Sequence, residues 1–185
     1  MRHAVRILFV LAGLLLCAGC DSRLERTDGG GVLLSVTDFD GLPTVVSVNQ
    51  ARLDGIVTID SITISSIVRD IDGDTSDLMN VEMSSYEVVF SRFDGRTMVP
   101  PPLVQRIFGT APAGGTEQYE NLPILLSDQL ENPPLSDFFI ENGGFDKETG
   151  STSLRLNLTM RFFGRSIAGE AVDTAPVSFT VEFVP

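Results

Sequence analysis

Strict alternation of apolar and polar residues near the C-terminus is the feature that most constrains the fold of this chain. Apolar residues occupy every second position from Leu154 to Phe162, and the same pattern returns from Val177 to Phe183. Successive side chains of a β-strand point to opposite faces, so this period of two predicts two strands. Each has one face in a core and the other in water.

Weaker alternation and turn signals extend this prediction along the chain. Further predicted strands are Val32–Val36, Thr44–Val48, Ile56–Val68 and Val81–Phe93, of which the last two are long enough to bend or divide. The turn signals are Asp40-Gly41, Asp94-Gly95 and Asn142-Gly143-Gly144. Short alternating strands separated by such turns are typical of sandwiches. We therefore predict an all-β chain, an antiparallel β-sandwich of about seven strands over residues 32–185.

The closing pair of predicted strands, Leu154–Phe163 and Val177–Phe183, resembles the final hairpin of immunoglobulin-like or fibronectin-like bacterial domains. That resemblance implies a sandwich of the same general type.

The middle third of the chain departs from this rhythm. Pro100-Pro101-Pro102 must be extended, and residues 111–116 form a loop rich in Pro and Gly. Residues 122–130 are compatible with a strand that leads into a helix. The segment from Pro133 to Ile140 is compatible with a short helix that has Ser136 as its N-cap. We interpret this Pro-rich region as an irregular insertion, either a decorated crossover or a functional loop, and favour the crossover.

The N-terminus has the three parts of an export signal. Arg2 and Arg6 precede the apolar run Ile7–Leu16, which is too short to span a bilayer. The run ends in Leu16-Cys17-Ala18-Gly19-Cys20, which resembles the lipobox of bacterial lipoproteins. The resemblance implies cleavage of residues 1–19 as a signal peptide and lipidation of Cys20. Residues 20–31 are then a flexible tether. We expect a protein anchored by lipid in the bacterial cell envelope, with the choice of membrane and face left open.

The net charge and the residue types that the chain lacks exclude several classes of partner and active site. The net charge of −12 becomes −14 when residues 1–19 are removed, and such a surface repels nucleic acid. The only His is His3, the chain has no Trp, and Cys20 is the one thiol after cleavage. These absences exclude a histidine–zinc site, a Ser-His-Asp or Cys-His nucleophile and a redox dithiol. Two-carboxylate chemistry and a Ser–Lys dyad through Lys147 stay open, but we expect no enzyme and no cofactor apart from Ca²⁺.

One acidic stretch raises the question of calcium. Four carboxylates lie within eight residues around Gly73, on the side chains of Asp70, Asp72, Asp74 and Asp77. Several oxygens on one turning loop are what Ca²⁺ requires. The stretch is not an EF-hand, because the sixth position is Thr75 and the twelfth is Val81. It is a solvated turn or, in the alternative hypothesis, the site of a Ca²⁺-dependent binding or adhesion module.

Adjacent large apolar residues suggest a partner surface. Phe138, Phe139 and Ile140 follow one another, so one of these side chains can face outward, and an exposed pair would mark a partner surface. We therefore expect a non-catalytic interaction or structural module, bound to the membrane through its lipid. Its expected partner is another envelope protein, held through a sheet edge or through residues 100–134.

Overall fold

The computed structural model describes residues 31–70, 72 and 74–185. The predicted signal peptide and most of the predicted tether, with Cys20, lie outside these residues. The strands are β1 Val32–Asp40, β2 Val45–Ser47, β3 Ile56–Val68, β4 Val81–Arg92, β5 Leu103–Ala111, β6 Thr116–Leu126, β7 Leu154–Ser166, β8 Ala171–Asp173 and β9 Val177–Val184. The helices are α1 Val48–Asp54 and α2 Ser127–Glu131, with single 3₁₀ turns at Asp77–Met79, Leu135–Phe138 and Ile140–Asn142.

The strands form two sheets. The smaller sheet has the order β1-β3-β6, and the larger has the order β2-β9-β7-β4-β5 with β8 paired to β7. The pairings are antiparallel except that β2 runs parallel to β9. A single parallel bridge from Leu34 to Thr174 connects β1 to the segment after β8. The prediction of a mostly β chain is confirmed.

Alternation fixes which side of each strand is buried. On β7 every second side chain from Leu154 to Phe162 is buried, as the sequence predicts. β3 is one continuous strand, but its buried positions shift phase between Ile59 and Ile62. Two of the predicted turns fall at the ends of β1 and β4, where Gly41 and Gly95 take φ of 66° and 74°. Gly adopts this left-handed conformation without steric strain.

Aromatic residues join the two sheets in one core. The hydroxyl of Tyr86 on β4 donates a 2.7 Å hydrogen bond to the carbonyl of Pro123 on β6. Tyr119 on β6 stacks on Phe162 of β7 with ring centroids 6.4 Å apart. Since these contacts run from one sheet to the other, the buried faces of both sheets belong to the same core.

The middle third is more regular than predicted. Leu103–Ala111 and Thr116–Leu126 form two full strands, β5 and β6, where we expected an irregular insertion. The turn between them falls in the predicted Pro/Gly loop, and β6 leads into α2 as predicted for residues 122–130. The short helix expected within residues 133–140 is present as two 3₁₀ turns. Ser136 lies inside the first turn and does not cap it, because Pro134 takes the N-cap position. The helix α1 was not predicted; it begins at Val48, directly after the short strand β2.

Candidate interaction surface

Strand β5 ends the larger sheet, and its second backbone edge has no strand paired to it among the described residues, although β6 approaches β5 at Gly109. It pairs with β4 from the Leu103–Val88 position to the Ala111–Val81 position, and β4 is its only sheet neighbour among the described residues. Within the described part of the chain, no turn or loop hydrogen bond reaches the backbone of residues 103–111. An edge of this kind offers N–H and C=O groups to another strand.

The side chains of β5 divide between core and solvent. Leu103, Ile107 and Ala111 are buried, whereas Val104 is 62% exposed and Phe108 is 86% exposed. No other large apolar side chain in the described residues is as exposed as Phe108. Arg106 lies between Val104 and Phe108 on the same outer face. The open edge is therefore flanked by two apolar side chains and a cation.

An irregularity in β4 forms a cleft beside these residues. The register of β4 with both β5 and β7 shifts between Met83 and Ser85, and the Ser84 hydroxyl donates to the Phe163 carbonyl at 3.1 Å. The cleft has a volume of about 840 Å³ and is open to solvent. Its lining residues are Glu82, Met83, Ser84, Ser85, Val104, Arg106, Phe108, Gly109, Thr110 and Arg165. The side chains at the register shift are small and leave a space in the surface of the sheet. The longer side chains among the lining residues form the walls of this space.

The charges in the cleft are not neutralised by ion pairs. Among the described residues, no carboxylate lies within 4.0 Å of the guanidinium of Arg106 or Arg165. Arg165 donates instead to the Gly169 carbonyl at 2.6 Å. Glu82 is the cross-strand neighbour of Arg165 but forms no ion pair with it. In an acidic chain, this cleft therefore presents two cations against one anion.

The inner side of β5 approaches β6 at Gly109. A Cβ atom at this position would lie 2.6 Å from the Tyr119 hydroxyl and closer still to the Glu117 carboxylate. The Tyr119 hydroxyl is buried and has no hydrogen-bond partner among the described residues. Burial, with a smaller contribution from the charge of Glu117, raises the pKa of Tyr119 above its ordinary value. Gly109 thus allows the two sheets to close together beneath the exposed strand.

A buried ionic cluster lies at the end of β4. Arg92 forms a bidentate pair with Asp94, at 2.9 and 2.7 Å, and a 2.6 Å pair with Asp146. Hydrogen bonds from Arg92 lower the pKa of Asp94 to about 2. Glu148 lies 3.3 Å from Arg92 and 3.7 Å from Arg96. Because these charged groups pair with one another, the cluster fastens β4 to the turn before β7. A cleft of about 330 Å³ that is open to solvent lies beside it, lined in part by Arg92, Asp94 and Thr149.

The expected partner surface at residues 138–140 requires a correction. Phe138 and Phe139 are buried in the core, and Arg52 of α1 lies 4.1 Å above the Phe139 ring. Only Ile140 is exposed. The two Phe side chains point inward because the 3₁₀ turn carrying Phe138 packs against α1 and α2. Within the predicted region 100–134, the exposed large apolar side chains are Val104 and Phe108 of β5.

The described residues of the acidic loop show no cluster of metal ligands. Asp70, Asp72, Asp74 and Asp77 are exposed. The Asp70 carboxylate accepts a 3.2 Å hydrogen bond from the Asp72 amide, which is a local turn contact. Among the described residues, no three acidic, His or Cys side chains converge as metal ligands. The Ca²⁺ alternative stays a prediction that only a binding measurement tests.

Two other predicted features have separate outcomes. Lys147, the side chain required by a Ser–Lys dyad, forms a 2.9 Å ion pair with Asp137. No helix in the part of the chain that the structure describes has the length and hydropathy of a membrane span. The lipidation of Cys20 stays a prediction from the sequence.

The residues of the β5 surface were missed because their pattern is ambiguous. Leu103-Val104 and Ile107-Phe108 are apolar pairs four positions apart, a spacing that also suits a helix. Only the β-branched and aromatic composition of residues 103–111 favoured a strand.

Comparison with known proteins adds no family. No protein-family model matches the chain, and no curated protein matches it. The X-ray structure of Northeast Structural Genomics Consortium target SoR45 is similar at 12% identity and a TM-score of 0.39, over 83% of this chain and 87% of that one. The solution structure of a late embryogenesis abundant (LEA)-like protein is similar at 10% identity and a TM-score of 0.43, over 98% of this chain and 87% of that one.

Proposed function

We propose that this protein is a non-catalytic interaction module of the bacterial cell envelope, anchored by lipid on Cys20, which binds a partner protein through the open edge of β5. The observation that carries the proposal is the second backbone edge of Leu103–Ala111, which has no paired strand among the described residues and lies next to the exposed Val104 and Phe108. A partner strand added at this edge gains backbone hydrogen bonds, and its side chains contact the exposed residues beside the edge.

The contrast with the neighbouring edge strand supports the choice of β5. β6 ends the smaller sheet and carries Pro123 together with the charged residues Glu117 and Glu120. Proline and charges are devices by which proteins prevent unwanted strand pairing. Residues 103–111 contain neither Pro nor Lys and only one charge, Arg106. An edge left without these devices is suited to a specific partner.

The proposal of a non-catalytic role rests on the chemistry of the side chains. After cleavage the chain would lack His, Trp and a free thiol, and Lys147 is held by Asp137. The buried carboxylate of Asp146 is neutralised by Arg92. These groups are poorly suited to general acid–base or nucleophilic work.

We also propose that the two sheets form a sandwich of the immunoglobulin-like or fibronectin-like kind. The shared core, the mostly antiparallel pairing and the closing β7–β9 pair support this description.

Site-specific photo-crosslinking in native membranes tests the proposed function. A photo-reactive phenylalanine analogue in place of Phe108 is expected to give a discrete adduct with another protein. The same analogue in place of Thr180, exposed on the outer face of β9 in the same sheet, serves as the control and is expected to give none. The adduct should disappear in Val104→Lys, which places a charge beside the edge without disturbing the core. Adducts of equal yield at both positions, or none at Phe108, would contradict the proposal.

A further inference from the structure

We infer that the partner of the β5 edge is an extended segment with acidic side chains on the face that lies beside Arg106. This inference rests on the proposed function and specifies the chemistry of the partner. Three observations carry it: no described carboxylate forms an ion pair with Arg106, the second cation Arg165 in the same cleft is held by a carbonyl and by no carboxylate, and Phe108 is exposed.

The position of Arg106 couples it to any strand that adds to β5. Its side chain leaves the outer face of the edge strand, between Val104 and Phe108. A neighbouring strand lies about 4.8 Å away, and directly opposite side chains on the same face have Cβ atoms about 5 Å apart. A carboxylate on the added strand opposite Arg106 is therefore within reach of a bidentate ion pair.

Arg165 extends the positive region across the sheet. It lies on β7, two strands from β5 and thus about 10 Å away across the sheet. Its neighbour Glu82 offsets one of the two cations, and the Arg165 guanidinium is held by the Gly169 carbonyl. Arg106 is therefore the cation that an added strand contacts directly, and Arg165 contributes at longer range.

The other arginines on this outer face are already neutralised. Arg155 pairs with Glu182 at 3.5 Å, and Arg161 pairs with Asp173. The chain has 25 acidic residues, and Glu87, opposite Val104 on β4, is a diagonal neighbour of Arg106 on the same face, yet no described carboxylate forms an ion pair with Arg106. Charge complementarity thus points to a carboxylate supplied by the partner.

A second copy of this chain does not meet the requirement. Its own β5 contains no acidic residue, so pairing two β5 strands would leave Arg106 without a carboxylate on the opposing strand. Each copy also carries a net charge of −12, or −14 after removal of residues 1–19. The same net charge opposes an acidic segment only weakly, because physiological salt screens charges beyond about 8 Å and Arg106 acts within that distance.

Peptide binding to the full-length chain in detergent micelles tests the inference. The probes are dye-labelled ten-residue peptides with blocked ends, one of alternating Val and Glu and its isosteric counterpart of alternating Val and Gln. Fluorescence anisotropy is expected to show about tenfold tighter binding of the Val/Glu peptide, as one charge-assisted pair predicts. Arg106→Gln should remove most of this preference. Arg155→Gln, at an exposed position of the same face, should retain it.

The outcomes separate this inference from the proposed function. Equal binding of both peptides, abolished in both cases by Val104→Lys, would overturn acidic recognition and leave the edge as the binding site. Failure of both peptides to bind would also overturn it, and the Phe108 cross-link would then decide independently whether the edge binds a protein. A Phe108 adduct with the mass of two copies of this chain would identify a second copy as the occupant and contradict the inference.

Discussion

The guanidinium of Arg92 and the carboxylate of Asp146 form a 2.6 Å ion pair with side chains only 1% and 0% exposed. The two residues are 54 positions apart in the sequence. The pair fixes the turn before β7 against the end of β4. A pair as buried as this one is costly to break, because the remaining charge loses a partner that water cannot replace.

Asp146→Ala is therefore expected to lower the free energy of unfolding by about 3 kcal/mol. This value lies near the low end of the cost of breaking a buried ion pair, because Arg92 still pairs with Asp94. Chemical denaturation checks this value. The matched control is Arg155→Ala, which breaks the exposed pair with Glu182 and should cost less than about 1 kcal/mol. Equal losses in the two variants would show that the buried pair has no special role in stability.

The same cluster predicts a dependence of stability on acid. Burial raises the pKa of Asp146, but hydrogen bonds from Arg92, Thr149 and the Glu148 amide outweigh it and hold the pKa below its ordinary value. The pKa of Asp94 is lowered to about 2. Because both folded-state values lie below the unfolded value of about 3.9, their stabilisation is complete above that pH and is lost as the pH falls toward 2. Thermal melts should show this loss, with a shallower slope in Asp146→Asn.

Two buried tyrosines should respond differently to loss of the hydroxyl. Tyr119→Phe removes a buried hydroxyl that has no partner among the described residues, so we expect unchanged or increased stability. Tyr86→Phe removes the 2.7 Å hydrogen bond from the Tyr86 hydroxyl to the half-buried Pro123 carbonyl, at a cost of about 1 kcal/mol. Parallel urea titrations measure both. A loss of stability in Tyr119→Phe would reveal a partner for its hydroxyl.

Calcium binding is checked by melting the chain with and without Ca²⁺. Since the carboxylates of Asp70, Asp72, Asp74 and Asp77 do not converge, we expect the Tm to stay within about 1 °C at 1 mM Ca²⁺. The control is the same titration with Mg²⁺. A rise of several degrees with Ca²⁺ alone, lost in Asp72→Asn, would restore the Ca²⁺-dependent adhesion module as the better hypothesis.

The lipid anchor is tested by mass spectrometry of the protein from membranes. We expect an N-terminal peptide that begins at Cys20 and carries acyl chains. Cys20→Ala should abolish the modification and accumulate the longer precursor, whereas Cys17→Ala should leave processing intact. Modification at Cys17, or a mature chain that begins elsewhere, would contradict the lipobox assignment.

The strands that can be predicted from the sequence are those with one face buried in the core and the other face exposed to solvent. β7 and β9 meet this condition, and their apolar residues alternate accordingly. β5 does not, because Val104 and Phe108 stay apolar on the exposed face. Because β5 carries apolar side chains on its exposed face as well as on its buried face, apolar and polar residues do not alternate along it, and alternation alone cannot locate the strand.

The contacts that join distant residues were not predictable from one sequence. The Arg92–Asp146 pair depends on the register of β4 with β7, which no local pattern specifies. Burial of Phe138 and Phe139 likewise depends on α1, an element that the sequence did not indicate. The acidic loop was identified correctly as a stretch of charge, but whether its carboxylates converge is a matter of backbone conformation.

Amide hydrogen exchange of the lipidated chain, measured in native membranes and again after purification in detergent, tests the central proposal most directly. With its partner bound in the membrane, peptides covering Leu103–Ala111 should exchange more slowly than in the purified protein. Peptides covering β1, the edge at the opposite end of the smaller sheet, should exchange equally in both states. Unchanged exchange in β5, with slowing confined to another surface such as α1, would contradict the assignment of the β5 edge as the binding site.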